Sequence, residues 1–210
     1  MPRRRTIKGV LDNFLGTYTS RYSDYDGYWL FGMVVGEVTD YWFARHRWEG
    51  PSPQHVADEI VDAMTKLLEH QVVLKRGALA ALASCRNRGL ALAVASSSPR
   101  RLIEVVVDGL GLGPWFSVVR SAQDEEAGKP DPAVYLSAAA ALGVDPRCCV
   151  AFEDAPAGVR AAHGAGMVCV AVPESGGVVT SADVAGLGLA DVIIDSLEDV
   201  DDALWARLAR

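Results

Sequence analysis

Few residues in this sequence are placed to do chemistry. Ser96 closes the apolar run LALAVASSS, Lys129 lies in the loop DEEAGKPDP, and the adjacent acids Glu153 and Asp154 close the run RCCVAFED. An open α/β sheet binds its ligands just beyond the carboxyl ends of its strands. A hydroxyl and an ammonium on such an edge can grip phosphate oxygens. Adjacent carboxylates supply the hard oxygen donors that Mg2+ accepts, one or two of them beside water and phosphate. The combination points to a phosphorylated small molecule and Mg2+. Each residue also has a plainer role open to it: an acid pair can cap a helix N-terminus, a loop lysine can be solvated, and a serine can serve the next turn.

The elements that must position these groups alternate along the chain, as in a parallel sheet flanked by helices. GALAALASCRNRG reads as a helix closed by Gly89, and LALAVASSS as a strand. SPRRLIEVVVDGL reads as a helix with Ser98 as N-cap and Pro99 at its first position. FSVVRSA is the next strand, and DPAVYLSAAAALG repeats the pattern with Asp131, Pro132 and the stop at Gly143. RCCVAFED, MVCVAV and DVIID are further strands, with APAGVRAAHGAG a helix between the first two. IIDSLEDVDDALW reads as a strand, a Ser196 cap and an acidic, solvated helix. Upstream, SPQHVADEIVDAMTKLLEHQ begins at the N-cap Ser52 and carries Val56, Ile60, Met64, Leu67 and Gln71 along one face. Five of the six tyrosines and three of the five tryptophans lie between Tyr18 and Trp48. The first third thus builds a different layer from the Ala/Val/Leu/Gly-rich remainder.

At 210 residues, half of them apolar, the chain can bury one full core with a small appendage. Its 27 acids against 20 bases argue against a nucleic-acid or acidic-membrane surface. No run approaches a membrane span, and MPRRRTIKG leads into no apolar stretch of signal length, so the expected compartment is the cytoplasm. Cys85, Cys148, Cys149 and Cys169 show no C-x-x-C spacing and read as buried, reduced thiols. His46, His55, His70 and His163 lack metal-ligand spacing. The aromatics between Tyr18 and Trp48 are expected in a core, with Trp42 and Trp48 also able to wall a ligand pocket.

These residues resemble the haloacid dehalogenase superfamily in its β-phosphoglucomutase-like branch. Ser96 is similar to its second motif, Lys129 in GKPDPAVYL to its third, and FEDAPAGVRAAHGAGM to its fourth. DYWFARHRWEGPSPQHVADEI further resembles the cap segment of bacterial 2-deoxyglucose-6-phosphate and hexitol phosphatases. The resemblance covers roughly Phe31 to the C-terminus. It implies an α/β fold, a Rossmann-like parallel sheet with helices on both faces and a small, shortened helical cap inserted after the first strand. The implied division is a first core strand at 1–12, a cap at 13–76 and the core at 77–210. The implied reaction is Mg2+-dependent hydrolysis of a hexose or hexitol phosphate through an aspartyl-phosphate.

The first motif of that family, an apolar strand ending D-x-D-G-[TV], has no clean copy. TIKGVLDNFLGT has the strand and the chain position, with Asp12 at its end, but Phe14 occupies the place of the second acid and Leu15 intrudes before the glycine. SDYDGYW supplies the literal motif with Asp24, Asp26 and Gly27, yet its run-up is polar and it falls late. Asp12 is favoured as the positional equivalent, and SDYDGYW reads as a cap loop or helix start. The resemblance then gives Asp12, Ser96 and Lys129 the catalytic roles and Asp12, Glu153 and Asp154 the Mg2+. A catalytically inactive relative that binds phosphate or a partner is the alternative, with phosphomutase and dehalogenase as minor ones; halide displacement gives no reason for the acid pair.

Overall fold

The computed structural model describes residues 9–12 as backbone, and residues 34–173 and 186–209. Six parallel strands form one sheet: β1 (Gly9–Asp12), β2 (Ala91–Ser96), β3 (Val118–Ser121), β4 (Cys149–Glu153), β5 (Val168–Ala171) and β6 (Val192–Ile193), in the order β3-β2-β1-β4-β5-β6. β1 runs beside both β2 and β4, with Asp12 opposite Val94 and Phe152. The expected first strand therefore forms, and it lies in the interior of the sheet.

Period-two alternation divides the strands into a large and a small face. Leu92, Val94, Val150, Phe152, Val168 and Val170 join one core cluster with α3 (Ala78–Asn87), α4 (Arg100–Gly109) and α7 (Asp202–Leu208). Ala93, Ala95, Cys149, Ala151, Cys169 and Ala171 join a second cluster with α5 (Ala133–Leu142) and α6 (Pro156–Gly164). Both faces are covered, as an all-parallel sheet requires.

Between β1 and β2 the chain places α1 (Val35–Arg45) and α2 (Pro53–Gln71), which pack on each other; α2 also packs on α4. Arg101 of α4 reaches Asp62 of α2 at 2.5 Å. Among the described residues no helix is long and apolar enough to cross a membrane.

Local details depart from expectation. The N-cap of α4 is Pro99, without a side-chain cap, and Ser98 before it donates its N–H to Ser96 Oγ. α5 likewise starts one residue late, at Ala133, whose N–H donates to Asp131 Oδ1 at 2.9 Å. The C-terminal acidic segment forms a Ser196-capped turn and then α7, which buries Leu204, Trp205 and Leu208 instead of lying solvated. On α2 the deepest residues are Ala57 and Thr65, while Ile60 is exposed, so its inward face is rotated from the expected stripe to suit the packing on α1 and α4.

Candidate functional site

The carboxyl edge of the sheet collects the predicted residues. Ser96 ends β2, Glu153 ends β4 with Asp154 directly after it, and Asp12 ends the strand between them. Asp24 and Phe14 lie outside the described residues.

Glu153 is sealed. Only 2 % of the residue is exposed, and its Oε1 accepts from Lys129 Nζ at 2.5 Å and from the Tyr135 hydroxyl. Lys129 is equally buried and donates also to the Ala95 carbonyl at 3.0 Å, and more loosely to Tyr135 Oη at 3.4 Å. Burying charged groups is costly unless they are paired and hydrogen-bonded, and these contacts provide both. Space for the carboxylate comes from Gly158 on the first turn of α6, where an added Cβ would fall inside contact distance of the Glu153 carboxyl. The glycine is there for close approach.

The loop that carries Lys129 is held from above by α1. Glu37 accepts from the Gly128 N–H at 3.2 Å through one oxygen and from the Val34 N–H at 3.1 Å through the other. The Lys129–Pro130 peptide is cis.

Asp154 faces a different neighbour. Its Oδ2 accepts from Lys75 Nζ at 3.1 Å, and its side chain is 9 % exposed. Lys75 lies on the link between α2 and α3. Ser96 is buried, and its Oγ accepts from the Ser98 N–H at 3.1 Å, so its own O–H remains available to donate. Next to it, Ser97 Oγ is shielded from solvent and has no hydrogen-bond partner among the described residues.

Sequence reasoning missed Lys75, Tyr135 and Ser97. Tyr135 carried a usable signal, as a lone phenol on an alanine-rich helix shortly after the loop lysine. Ser97 stood in a triple serine with nothing to rank it, and Lys75 in VVLKRG sits outside any strand end.

The thiols take no part. All four cysteines are free, and Cys85, Cys149 and Cys169 are buried. Burial pushes the Cys149 thiol up to about 11. The Cys169 thiol is raised further still, by burial and then by the Glu153 charge. His163 is exposed, His55 faces Glu59 at 3.5 Å, and Trp42 stacks on His46 with centroids 5.5 Å apart. Trp48 packs edge-on against Phe43 and donates to the Pro51 carbonyl at 2.8 Å, so both tryptophans make contacts within α1 and the link that follows it.

Among the described residues no group of three or more His, Cys, Asp or Glu side chains is arranged to hold a metal. The donors present are two adjacent carboxylates at the end of a strand. That set fits Mg2+, which completes its shell with water and phosphate, and does not fit a closed site of nitrogen and sulfur ligands.

Residues 7–166 match the model of the family described as haloacid dehalogenase-like hydrolase. The chain is 39% identical over 142 residues to hexitol phosphatase B of Escherichia coli strain K12, covering 68% of this chain and 64% of that protein. It is 38% identical over 132 residues to validoxylamine A 7'-phosphate phosphatase of Streptomyces hygroscopicus subsp. limoneus, covering 63% of this chain and 58% of that one. The chain thus spans less than two thirds of the length of these curated relatives. Its fold is that of β-phosphoglucomutase from Clostridium difficile, with a TM-score of 0.80, 20% identity and 97% of both chains covered.

Proposed function

For a chain that belongs to the haloacid dehalogenase-like hydrolases, we propose Mg2+-dependent hydrolysis of a small sugar or sugar-alcohol phosphate, with Asp12 as the nucleophile. The observation that carries this reading is the convergence of Ser96, Glu153 and Asp154 on the strand ends flanking Asp12, with Lys129 buried against Glu153. The two curated relatives described above, both named as phosphatases, support the reaction class.

In this reading the Asp12 carboxylate attacks phosphorus as the P–O bond to the sugar breaks, the leaving oxygen takes a proton from solvent, and water then hydrolyses the aspartyl-phosphate to free phosphate and restore Asp12. The Ser96 O–H donates to a phosphoryl oxygen. Lys129 keeps a positive charge at the edge and holds the Glu153 carboxylate in place. Asp12, Glu153 and Asp154 would hold Mg2+, which when bound supplies a positive centre for the phosphoryl oxygens. The helices in 13–76 act as the cap over this edge, and 77–210 as the core.

Phe14 stands where the family resemblance expects an acid to protonate the leaving group. Loss of such a general acid removes about 10²–10⁴-fold in rate, so slow turnover is expected. The same departure favours a second reading, an inactive relative that retains phosphate binding.

The deciding experiment measures phosphate release from hexose and hexitol phosphates, with and without Mg2+, for the native chain and Asp12→Asn. Mg2+-dependent release abolished by the substitution supports the proposal. Release that survives it moves the nucleophile elsewhere, with Asp24→Asn tested next. No release across the panel favours the inactive binder.

A further inference from the structure

We propose that Lys75 is a built-in rival of the metal ion: it holds Asp154 in the metal-free protein and weakens divalent-cation binding at the acid pair. The inference rests on the reading of Asp154 as a metal ligand.

The charge balance of the edge comes first. Glu153 is met by the ammonium of Lys129 at 2.5 Å and Asp154 by that of Lys75 at 3.1 Å. Two carboxylates are therefore matched by two ammoniums before any cation arrives. An incoming divalent cation must compete with these two ammoniums for the pair, and it meets a like charge a few Å from its ligand.

The second strand of the argument is that Lys75 is aimed, not drifting. The backbone on its C-terminal side is pinned. Gly77 has φ +82 and lies so close to the Leu197–Glu198 backbone that a side chain there would collide with it. Arg76 pairs with Glu198 at 2.8 Å, and the Lys75 carbonyl accepts from the Ala78 N–H at 3.0 Å. Fixing a lysine side chain costs rotamer entropy. Anchoring the backbone on its C-terminal side limits where the ammonium can search, and the 23 % exposed side chain is directed at Asp154.

The two lysines differ in what they can do when metal arrives. Lys129 is enclosed with its acceptors. Lys75 is partly exposed and can swing to solvent, releasing Asp154. Lys75 is thus a positioning residue for Asp154 and sets the cation concentration at which the site fills.

The test is equilibrium binding of Mn2+ alone, followed by electron paramagnetic resonance, with Mg2+ competition, on the native chain, Lys75→Met, Lys75→Arg and Asp154→Asn. The expected result is binding about tenfold or more tighter in Lys75→Met, close to native in Lys75→Arg, which restores the charge, and a lower thermal midpoint of metal-free Lys75→Met. Native-like or weaker binding in a folded Lys75→Met overturns the proposal. Should Lys75→Met fail to fold, Lys75→Gln takes its place with the same expectation. If Asp154→Asn leaves native binding untouched, the failure belongs to the metal-ligand reading; if it abolishes binding while Lys75→Met changes nothing, only the role of Lys75 fails.

Discussion

The two halves of the acid pair live in opposite environments one residue apart. Glu153 looks into the small-residue side of the sheet, enclosed by Lys129, Tyr135 and the bare first turn of α6. Asp154 looks toward the link between α2 and α3, where a partly exposed lysine meets it. The difference teaches that a linear motif can set two acids of one site in opposite surroundings, one sealed by a buried ammonium and one held by a partly exposed lysine. The strand pleat makes the division: successive side chains leave on opposite sides, so one acid is carried inward and the next to the rim.

Substitutions can break or sharpen this contrast. The largest loss is expected from Lys129→Met, which leaves Glu153 buried without its ammonium. Removing one partner of such a pair costs about 3–5 kcal/mol, to be read as a fall in the urea midpoint with the slope unchanged. Gly158→Ala should follow at about 1–3 kcal/mol, because the added methyl displaces the Glu153 carboxyl from its niche. Smallest is Asp154→Asn, at about 1 kcal/mol or less by the same unfolding measurement, since Lys75 can re-solvate. A loss with Asp154→Asn as large as that of Lys129→Met would erase the distinction between the two acids.

Much of the fold was legible because strand ends, prolines and glycines punctuate the second two thirds of the chain. Gly143, for example, adopts φ +69 at the end of α5, as its place after AVYLSAAAAL implies. Ser96, Glu153 and Asp154 could be placed because each ends an apolar run, and a parallel sheet delivers run ends to one edge. Lys129 could be placed by its loop, but not its direction: it turns inward to Glu153. What could not be read was set by tertiary packing. The rotation of α2 depends on α1 and α4, the burial of α7 depends on the large-residue face, and Lys75 meets Asp154 only because Gly77 brings the chain against residues 197–198. No local pattern encodes a contact between segments so far apart in sequence.

The position of β1 has a consequence for the order of folding. β2 with β3, and β4 with β5 and β6, are each built from segments near one another in the chain, whereas β1 pairs with two strands that lie far downstream. Non-local pairings carry the larger loop-closure entropy and slow the search. Two half-sheets therefore have the shorter route to assembly, and β1 is the keystone whose arrival joins them. The strand that ends in Asp12 is also the one that turns two separate ribbons into a single sheet.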